Sequence, residues 1–131
     1  MSAVLKPRAT EHSEQVAVIR WFRLQYPKMR GCLFAIPNGS HLAGTPLQRA
    51  KKVQRMKSEG FTPGISDLFL MVPKGPFAGL WIEMKREKYC PSDVSEEQRE
   101  FIALASNQGY QACVCGGAKA AMATIAGYLG E

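Results

Sequence analysis

Residues 64–86 read Gly-Ile-Ser-Asp-Leu-Phe-Leu-Met-Val-Pro-Lys-Gly-Pro-Phe-Ala-Gly-Leu-Trp-Ile-Glu-Met-Lys-Arg. Two apolar runs, Leu68 to Val72 and Leu80 to Met84, flank a stretch rich in proline and glycine. Short runs of β-forming residues on either side of turn residues are typical of an antiparallel hairpin. The sequence therefore predicts two paired strands that lie in the core.

Three charged residues interrupt this predicted hairpin. Asp67 opens the first strand, and Glu83 and Lys85 lie within the second. Because side chains alternate across a strand, Glu83 and Lys85 share one face and lie about 7 Å apart. If the turn pairs Val72 with Leu80, Asp67 lies opposite Lys85 on that same face. Two carboxylates and an ammonium are thus predicted to converge at one end of the hairpin.

This charged cluster suits metal-assisted phosphodiester hydrolysis. Charges in an apolar setting are normally paired or metal-bound, and a divalent cation relieves the repulsion between two carboxylates. Mg²⁺ takes oxygen ligands and usually keeps several waters and substrate phosphate oxygens. Lys85 can hold or deprotonate a water, or stabilise negative charge at the phosphorus. The alternative is a surface strand with alternating charges, but the apolar residues around Asp67 and Glu83 favour a functional site.

Length and charge limit the possible classes of protein. The chain has 131 residues, 46% of them hydrophobic and 21% charged, which predicts one globular domain over residues 1–131. Residues 1–57 hold eleven Lys or Arg against two Glu, so the positive charge of the chain, +6 in total, is concentrated in its first half. This asymmetry favours a polyanionic partner, with a solvated basic surface as the alternative. Residues 1–10 are expected to form a flexible basic tail.

Cysteine usage and hydropathy bear on the compartment. The four cysteines and two histidines show no zinc-binding spacing. Cys113 and Cys115 lie in an apolar, strand-like run and are interpreted as small buried side chains. No stretch resembles a signal peptide, and no apolar run approaches the ~20 residues that span a bilayer. The sequence therefore predicts a cytoplasmic protein, in a bacterial or phage-infected cell, without a membrane partner.

The first predicted helix carries an acidic residue with two possible roles. Ser13 is expected to cap the helix, which runs to about Tyr26. Its predicted core stripe consists of Val16, Ile19, Phe22 and either Leu24 or Tyr26. Glu14 in the first turn either complements the helix dipole or serves as a third acidic metal ligand. The sequence does not decide between these roles.

A short strand and a basic helix follow. Residues 32–36 predict a strand, and the next turn contains Asn38 and His41, which are candidates for contact with substrate. Thr45 caps a helix that runs to about Ser58. Four residues give it a narrow predicted core stripe: Leu47, Ala50, Val53 and Met56. The other face is basic and is either solvated or bound to phosphates, and its residues are Arg49, Lys51, Lys52, Arg55 and Lys57.

The last third of the chain predicts helix, strand and helix. Ser95 and Gln98 have the spacing of a capping box. Gln98 could also project toward the hairpin and position water or phosphate. A strand over residues 110–115 and an apolar helix over residues 118–129 complete the order α-β-α-β-β-α-β-α, a mixed α/β fold. The apolar residues of this last helix cover more of its surface than packing against one neighbour needs. This excess fits either a homodimer interface or burial within a monomer.

On these motifs the chain resembles the PD-(D/E)-x-K nuclease superfamily, and more narrowly its virus-type replication-repair branch, the VRR-NUC domain. The resemblance covers about residues 12–129. It is carried by Glu14, Ile36-Pro37-Asn38-Gly39, Gly64-Ile-Ser-Asp67, Ile82-Glu83-Met84-Lys85 and Ser95-x-x-Gln98. Ser66 replaces the proline of the superfamily's name. The resemblance implies a restriction-endonuclease-like α/β fold, in which helices flank a mixed sheet and an antiparallel hairpin carries the site.

The resemblance also implies roles for these residues. Asp67 and Glu83 would bind Mg²⁺ or Mn²⁺ with the main-chain carbonyl of Met84, Lys85 would be catalytic, and Gln98 would help to organise the site. Glu14 is a further candidate ligand. Stand-alone domains of this size occur in phages, and larger eukaryotic repair proteins carry the domain at one end.

The expected activity is a metal-dependent DNA endonuclease, acting as a homodimer on branched DNA such as four-way (Holliday) junctions. The alternatives are a sequence-specific restriction-type nuclease and a non-catalytic basic DNA-binding module. Of these three hypotheses, only the two nucleases predict cleavage that requires Mg²⁺ or Mn²⁺.

Overall fold

The computed structural model describes residues 9–37 and 42–130. Four helices are present in this part of the chain: α1 (Glu11–Gln25), α2 (Pro46–Ser58), α3 (Glu96–Asn107) and α4 (Ala118–Tyr128). The strands are β1 (Leu33–Ala35), β2 (Leu68–Leu70), β3 (Leu80–Lys85) and β4 (Gln111–Gly116), and short 3₁₀ turns span Pro27–Cys32 and Pro91–Asp93. The predicted order of helices and strands is confirmed. Most of the expected basic tail, and the candidate substrate contacts Asn38 and His41, lie outside the described residues.

The strands form one mixed sheet in the order β1-β2-β3-β4. β2 pairs antiparallel with β1 and with β3, whereas β3 and β4 are parallel. Parallel strands need a long crossover, which is supplied here by residues 86–110 with α3. The mixed α/β class predicted from the sequence is therefore confirmed.

The two faces of the sheet have different surroundings. The core face carries the even-numbered residues of β2 and β3, and these pack with buried residues of α1 and α4: Leu68, Leu70, Leu80, Ile82 and Met84 against Val18, Phe22, Ala121 and Ile125. The opposite face, which we call the site face, carries the odd-numbered residues of these two strands, among them Phe69, Trp81, Glu83 and Lys85. The apolar core thus fixes which side chains are left for the site.

The register of the hairpin differs from the predicted one. Leu70 pairs with Leu80 and Leu68 pairs with Ile82, so the predicted pairing of Val72 with Leu80 is wrong by two residues. Val72 lies outside the paired residues, and its carbonyl accepts a hydrogen bond from the Tyr128 hydroxyl. The observed register extends to place Asp67 opposite Glu83, and not opposite Lys85 as predicted. A shift of two residues leaves the face unchanged, so these carboxylates still share the site face.

α1 begins earlier than predicted. Thr10 is the N-cap, and its hydroxyl oxygen accepts a 3.0 Å hydrogen bond from the Ser13 N–H, so the assignment of Ser13 as the cap is wrong. The predicted core stripe is correct at Phe22 and Tyr26, which are buried. Leu24 is 84% exposed, and Val18, which the stripe omitted, is fully buried. The buried face of α1 is therefore rotated from the predicted one.

α2 begins as predicted but does not enter the core. Thr45 and Gln48 form a capping box with hydrogen bonds of 2.9 and 3.2 Å. The predicted core stripe is wrong, since α2 has no buried residue and Leu47 is 66% exposed. Val53 and Met56 are half-buried. Lys and Arg occupy so much of this helix that burying it would be costly, and it presents its basic surface to solvent.

No helix in the described part of the chain combines the length and the apolar character that crossing a membrane requires.

Candidate active site

Asp67 is held at the open end of the hairpin by main-chain groups on two strands. Its Oδ2 atom accepts a 2.7 Å hydrogen bond from the Met84 N–H. Its main-chain carbonyl accepts a 2.9 Å hydrogen bond from the Ile36 N–H, which continues the pairing of β1 with β2. Just before β2 begins, the Asp67 carboxylate therefore accepts the hydrogen bond from β3 that a strand carbonyl would otherwise accept.

Glu83 lies next to Asp67 and is almost completely buried, with 3% of its surface exposed. The pKa of Glu83 is raised from 4.5 to about 9, and burial is the largest cause. Hydrogen bonding to Asp67 and the negative charges of Asp67 and Glu11 also raise this pKa, whereas the positive charge of Lys85 lowers it. Two adjacent carboxylates in a poorly solvated place do not both ionise readily. Burial and the neighbouring Asp67 therefore favour the protonated form of Glu83 when no cation is bound.

The Met84 carbonyl is directed toward the same side as Asp67. Adjacent residues of a strand point their main-chain groups to opposite neighbours. The Lys85 carbonyl accepts a 2.8 Å hydrogen bond from Gly117, on the β4 side. The Met84 N–H donates to Asp67, on the β2 side, so the Met84 carbonyl points there as well. Oxygens of Asp67, Glu83 and Met84 therefore gather at this end of β3.

These oxygens fit a hard divalent cation. In the described part of the chain, no three Asp, Glu, His or Cys side chains form a metal-binding group. Mg²⁺ does not require three, because waters, carbonyls and substrate phosphates complete its shell around one or two carboxylates. The Oε1 atom of Glu83 is buried and has no hydrogen-bond partner within residues 9–37 and 42–130. A buried acceptor without a partner is costly, and a bound cation would satisfy it.

Lys85 lies on the same face as Glu83, two residues further along β3. It is 8% exposed, which is unusual for a lysine. The single ion pair found among the described residues joins Arg55 and Glu59 on α2, so no described carboxylate is paired with Lys85. Its ammonium is free to bind a water molecule or a phosphate oxygen.

Gln98 has the structural role predicted for it. Its side-chain oxygen accepts a 2.9 Å hydrogen bond from the Ser95 N–H, and its own N–H donates a 3.1 Å hydrogen bond to the Ser95 hydroxyl. Gly64 brings this end of α3 against the segment that leads to Asp67, because a Cβ atom there would lie 2.5 Å from the Glu97 carbonyl carbon. The side-chain nitrogen of Gln98 is not used by the capping box.

Glu14 binds the start of α4. Its Oε2 atom accepts a hydrogen bond from the Ala118 N–H. The N-cap of α4 is Gly117, which has no side chain to cap the helix. A carboxylate at a helix N-terminus is favourable, so this contact supports α4. The structure does not join Glu14 to Asp67 and Glu83 in a three-acid group, and its position favours a structural role.

Glu11 is a charged neighbour of Glu83 that the sequence analysis did not consider. Its negative charge raises the pKa of Glu83, although Glu11 itself is exposed. The mistaken cap at Ser13 placed Glu11 outside the helix. With Thr10 as the cap, Glu11 shares a helix face with Val18 and Phe22, at i+7 and i+11, and this spacing was the available signal.

The predicted phosphate contacts on α2 are exposed, and most already have partners. Arg49 donates to the Gly44 carbonyl, and Lys52 donates a 2.9 Å hydrogen bond to the Ala43 carbonyl. Arg55 pairs with Glu59 one turn later at 3.2 Å. These contacts stabilise the start and the end of the basic helix, while Lys51 is exposed on its surface.

Comparison with known proteins identifies a family and supports the fold. The family model of the VRR-NUC domain matches residues 9–119. A solved structure described as a VRR_NUC domain protein is similar with a TM-score of 0.78 at 24% sequence identity, covering 95% of this chain and 91% of that chain. At this identity the likeness supports the fold alone. No curated protein matches the sequence significantly.

Proposed function

The chain belongs to the VRR-NUC family, which implies a nuclease of the PD-(D/E)-x-K type, and we propose that it is a divalent-metal-dependent DNA endonuclease. One observation carries the proposal. Asp67 and Glu83 lie side by side at the end of the hairpin, and Glu83 has a buried oxygen without a described partner. Two ionised carboxylates would repel each other in this poorly solvated place, and a bound divalent cation would remove that repulsion.

Asp67, Glu83 and the Met84 carbonyl would hold the cation, Mg²⁺ or Mn²⁺. When bound, such a cation polarises a phosphate and lowers the pKa of a water molecule. Asp67 is fixed for this role by the hydrogen bond from the Met84 N–H. Glu83 is fixed by burial between strands that pair on both sides.

Lys85 would act on the attacking water or on the phosphate. Its ammonium extends from the same face of β3 as Glu83, and its burial keeps it near the reacting phosphate. It can orient a water by hydrogen bonding or stabilise negative charge that develops on phosphate oxygens. Gln98 would position the same groups through its free side-chain nitrogen.

DNA would approach the basic surface, with phosphate contacts from α2 and from the substrate candidates Asn38 and His41. Basic residues on α2 would add a salt-dependent attraction to phosphates. We propose the cytoplasm of a bacterial or phage-infected cell as its location, where DNA is accessible to the protein. A restriction-type nuclease is the alternative, and cleavage at one base sequence in linear duplex DNA would favour it.

We further propose that the enzyme works as a homodimer on branched DNA. One site cuts one strand, whereas a four-way junction presents two equivalent strands that a two-fold dimer would match. The outer face of α4 supports this, because it exposes small side chains such as Ala120 and Ala123. Light scattering should then give twice the 14.5 kDa mass of the chain, and a monomer that ignores junctions would contradict the dimer.

The central experiment is a cleavage assay on linear duplex, flap, splayed and four-way DNA, each with Mg²⁺, Mn²⁺ or EDTA. We expect cleavage that requires the cation and is strongest on branched DNA. The Asp67→Asn protein serves as the matched control for contaminating nucleases. Tight DNA binding without cleavage under any condition would instead favour a non-catalytic DNA-binding module.

A further inference from the structure

Phe34 is an exposed aromatic residue on the site face. It pairs with Phe69, which pairs with Trp81, so the three side chains lie in a row across β1, β2 and β3. The ring centroids of Phe34 and Phe69 are 5.8 Å apart, and those of Phe69 and Trp81 are 4.3 Å apart. Phe69 and Trp81 are half-buried, but Phe34 at the edge of the sheet is 38% exposed.

This row leads directly to the proposed active site. Glu83 lies two residues beyond Trp81 on the same face of β3. On the neighbouring strand, Asp67 lies two residues before Phe69, the partner of Phe34. The spacing along and between strands therefore puts the Cα atoms of Phe34 and Asp67 about 8 Å apart. A base attached to a phosphate at Asp67 would be within reach of the Phe34 ring.

We propose that Phe34 stacks on an unpaired base next to the phosphodiester that is cut. The inference rests on the proposed nuclease function and adds the feature of DNA that is recognised. Aromatic side chains bind single-stranded DNA by stacking, together with positive charge that follows the backbone. Phe34 supplies the ring, and Lys85 and Arg86 supply positive charge at the end of the hairpin.

Stacking on Phe34 requires an unpaired base. A base inside a continuous duplex is already stacked on both sides, so an aromatic side chain can reach its face only after unstacking it at a cost. A base at a branch point or in a single-stranded arm has a free face. Phe69 contacts the Phe34 ring edge to face and restricts its motion, which lowers the entropy lost on stacking. Phe34 would thereby favour branched DNA without reading its sequence.

The test uses splayed DNA with 2-aminopurine beside the cleavage position, mapped beforehand with Mn²⁺. Fluorescence is measured in EDTA, so that binding is observed without cleavage. We expect wild-type protein and Phe34→Tyr to quench the fluorescence by stacking, and Phe34→Leu to lose the quenching. The matched control is Leu24→Ala, which removes an exposed apolar side chain on α1 and should quench like wild type.

Kinetics provide the second measurement. Phe34→Leu should lower kcat/KM on splayed DNA about 5- to 150-fold and leave cleavage of continuous duplex unchanged. Unchanged quenching in Phe34→Leu, or an equal loss on both substrates, would overturn the inference. A change in the light-scattering mass of Phe34→Leu would also overturn it, since Phe34 would then contact a second copy. Wild-type protein that cleaves no DNA would refute the nuclease function itself.

Discussion

The main-chain N–H of Met84 donates a 2.7 Å hydrogen bond to the carboxylate of Asp67 across the open end of the hairpin. This contact lets a side chain continue the pairing of β3 beyond the end of β2, on the side to which the Met84 carbonyl also points. The Asp67 carboxylate is therefore both the acceptor of a structural hydrogen bond and a proposed metal ligand. The two roles can be separated, because an amide oxygen can accept the same hydrogen bond but is a weaker cation ligand.

Asp67→Asn and Glu83→Gln should each abolish most cleavage while the protein stays folded. Each change removes a ligand charge and little volume, so we expect the rate at saturating Mn²⁺ to fall more than about a hundredfold. Asp93→Asn alters an exposed carboxylate and should leave the rate unchanged. Normal turnover of either site variant, with metal still required, would show that the site is misassigned.

The stability of the metal-free protein should fall as pH rises between about 4.5 and 9, the ordinary and folded-state pKa values of Glu83. In this range the folded protein keeps a proton that the unfolded chain has released, so raising the pH favours unfolding. The slope from one such group is at most about 1.4 kcal/mol per pH unit. Urea unfolding in EDTA measures it.

Glu83→Gln provides the control for this pH effect. It cannot ionise, so its stability should depend less on pH than that of the wild type. Saturating Mg²⁺ should also reduce the wild-type slope, because the cation stabilises the ionised carboxylate. An identical slope in Glu83→Gln would mean that other groups cause the pH dependence.

Lys85→Ala should impair the chemical step more than metal binding. An ammonium is not a metal ligand, whereas groups that transfer protons or stabilise charge typically contribute ~10²–10⁴-fold to the rate. Single-turnover cleavage measured over a range of Mn²⁺ concentrations separates the two effects. Lys88→Ala, an exposed lysine three residues later, is the comparison variant. A near-normal rate in Lys85→Ala would assign the chemistry to another group.

Glu14→Ala should reduce stability without changing the metal requirement. Loss of its hydrogen bond to the Ala118 N–H removes both a cap and a favourable charge at the N-terminus of α4, a cost of about 1–2 kcal/mol. Thermal unfolding and the Mn²⁺ concentration for half-maximal cleavage are the two readouts. An increased Mn²⁺ requirement at unchanged stability would make Glu14 the third ligand that the sequence allowed.

Reversing charge on α2 should weaken DNA binding and its salt dependence. Lys51→Glu is the simplest variant, because Lys52 also holds the Ala43 carbonyl. Combining it with Lys52→Glu and Arg55→Glu should lower the slope of log K against log salt by about 0.9 for each lost phosphate contact. Lys28→Glu, in an exposed turn, is the control. A slope equal to that of wild type would indicate that α2 is only solvated.

The sequence by itself determined the hairpin, the order of the elements and the face that carries the charged residues. These features depend on local rules, since apolar runs and turn residues define strands and the two-residue alternation fixes the face. The capping boxes at Thr45 and Ser95 were readable for the same reason, because each involves residues only three apart.

Only the tertiary structure decided which groups meet. Val72 binds Tyr128 from the other end of the chain, and this long-range contact accompanies a register in which Asp67 lies opposite Glu83. Glu14 meets the N-terminus of α4 across 104 positions of sequence. The apolar stripe of α2 was readable, but its exposure depends on where the rest of the chain packs. Local patterns specify the elements and their faces, whereas register and contacts between distant segments are set by the packing of the whole chain.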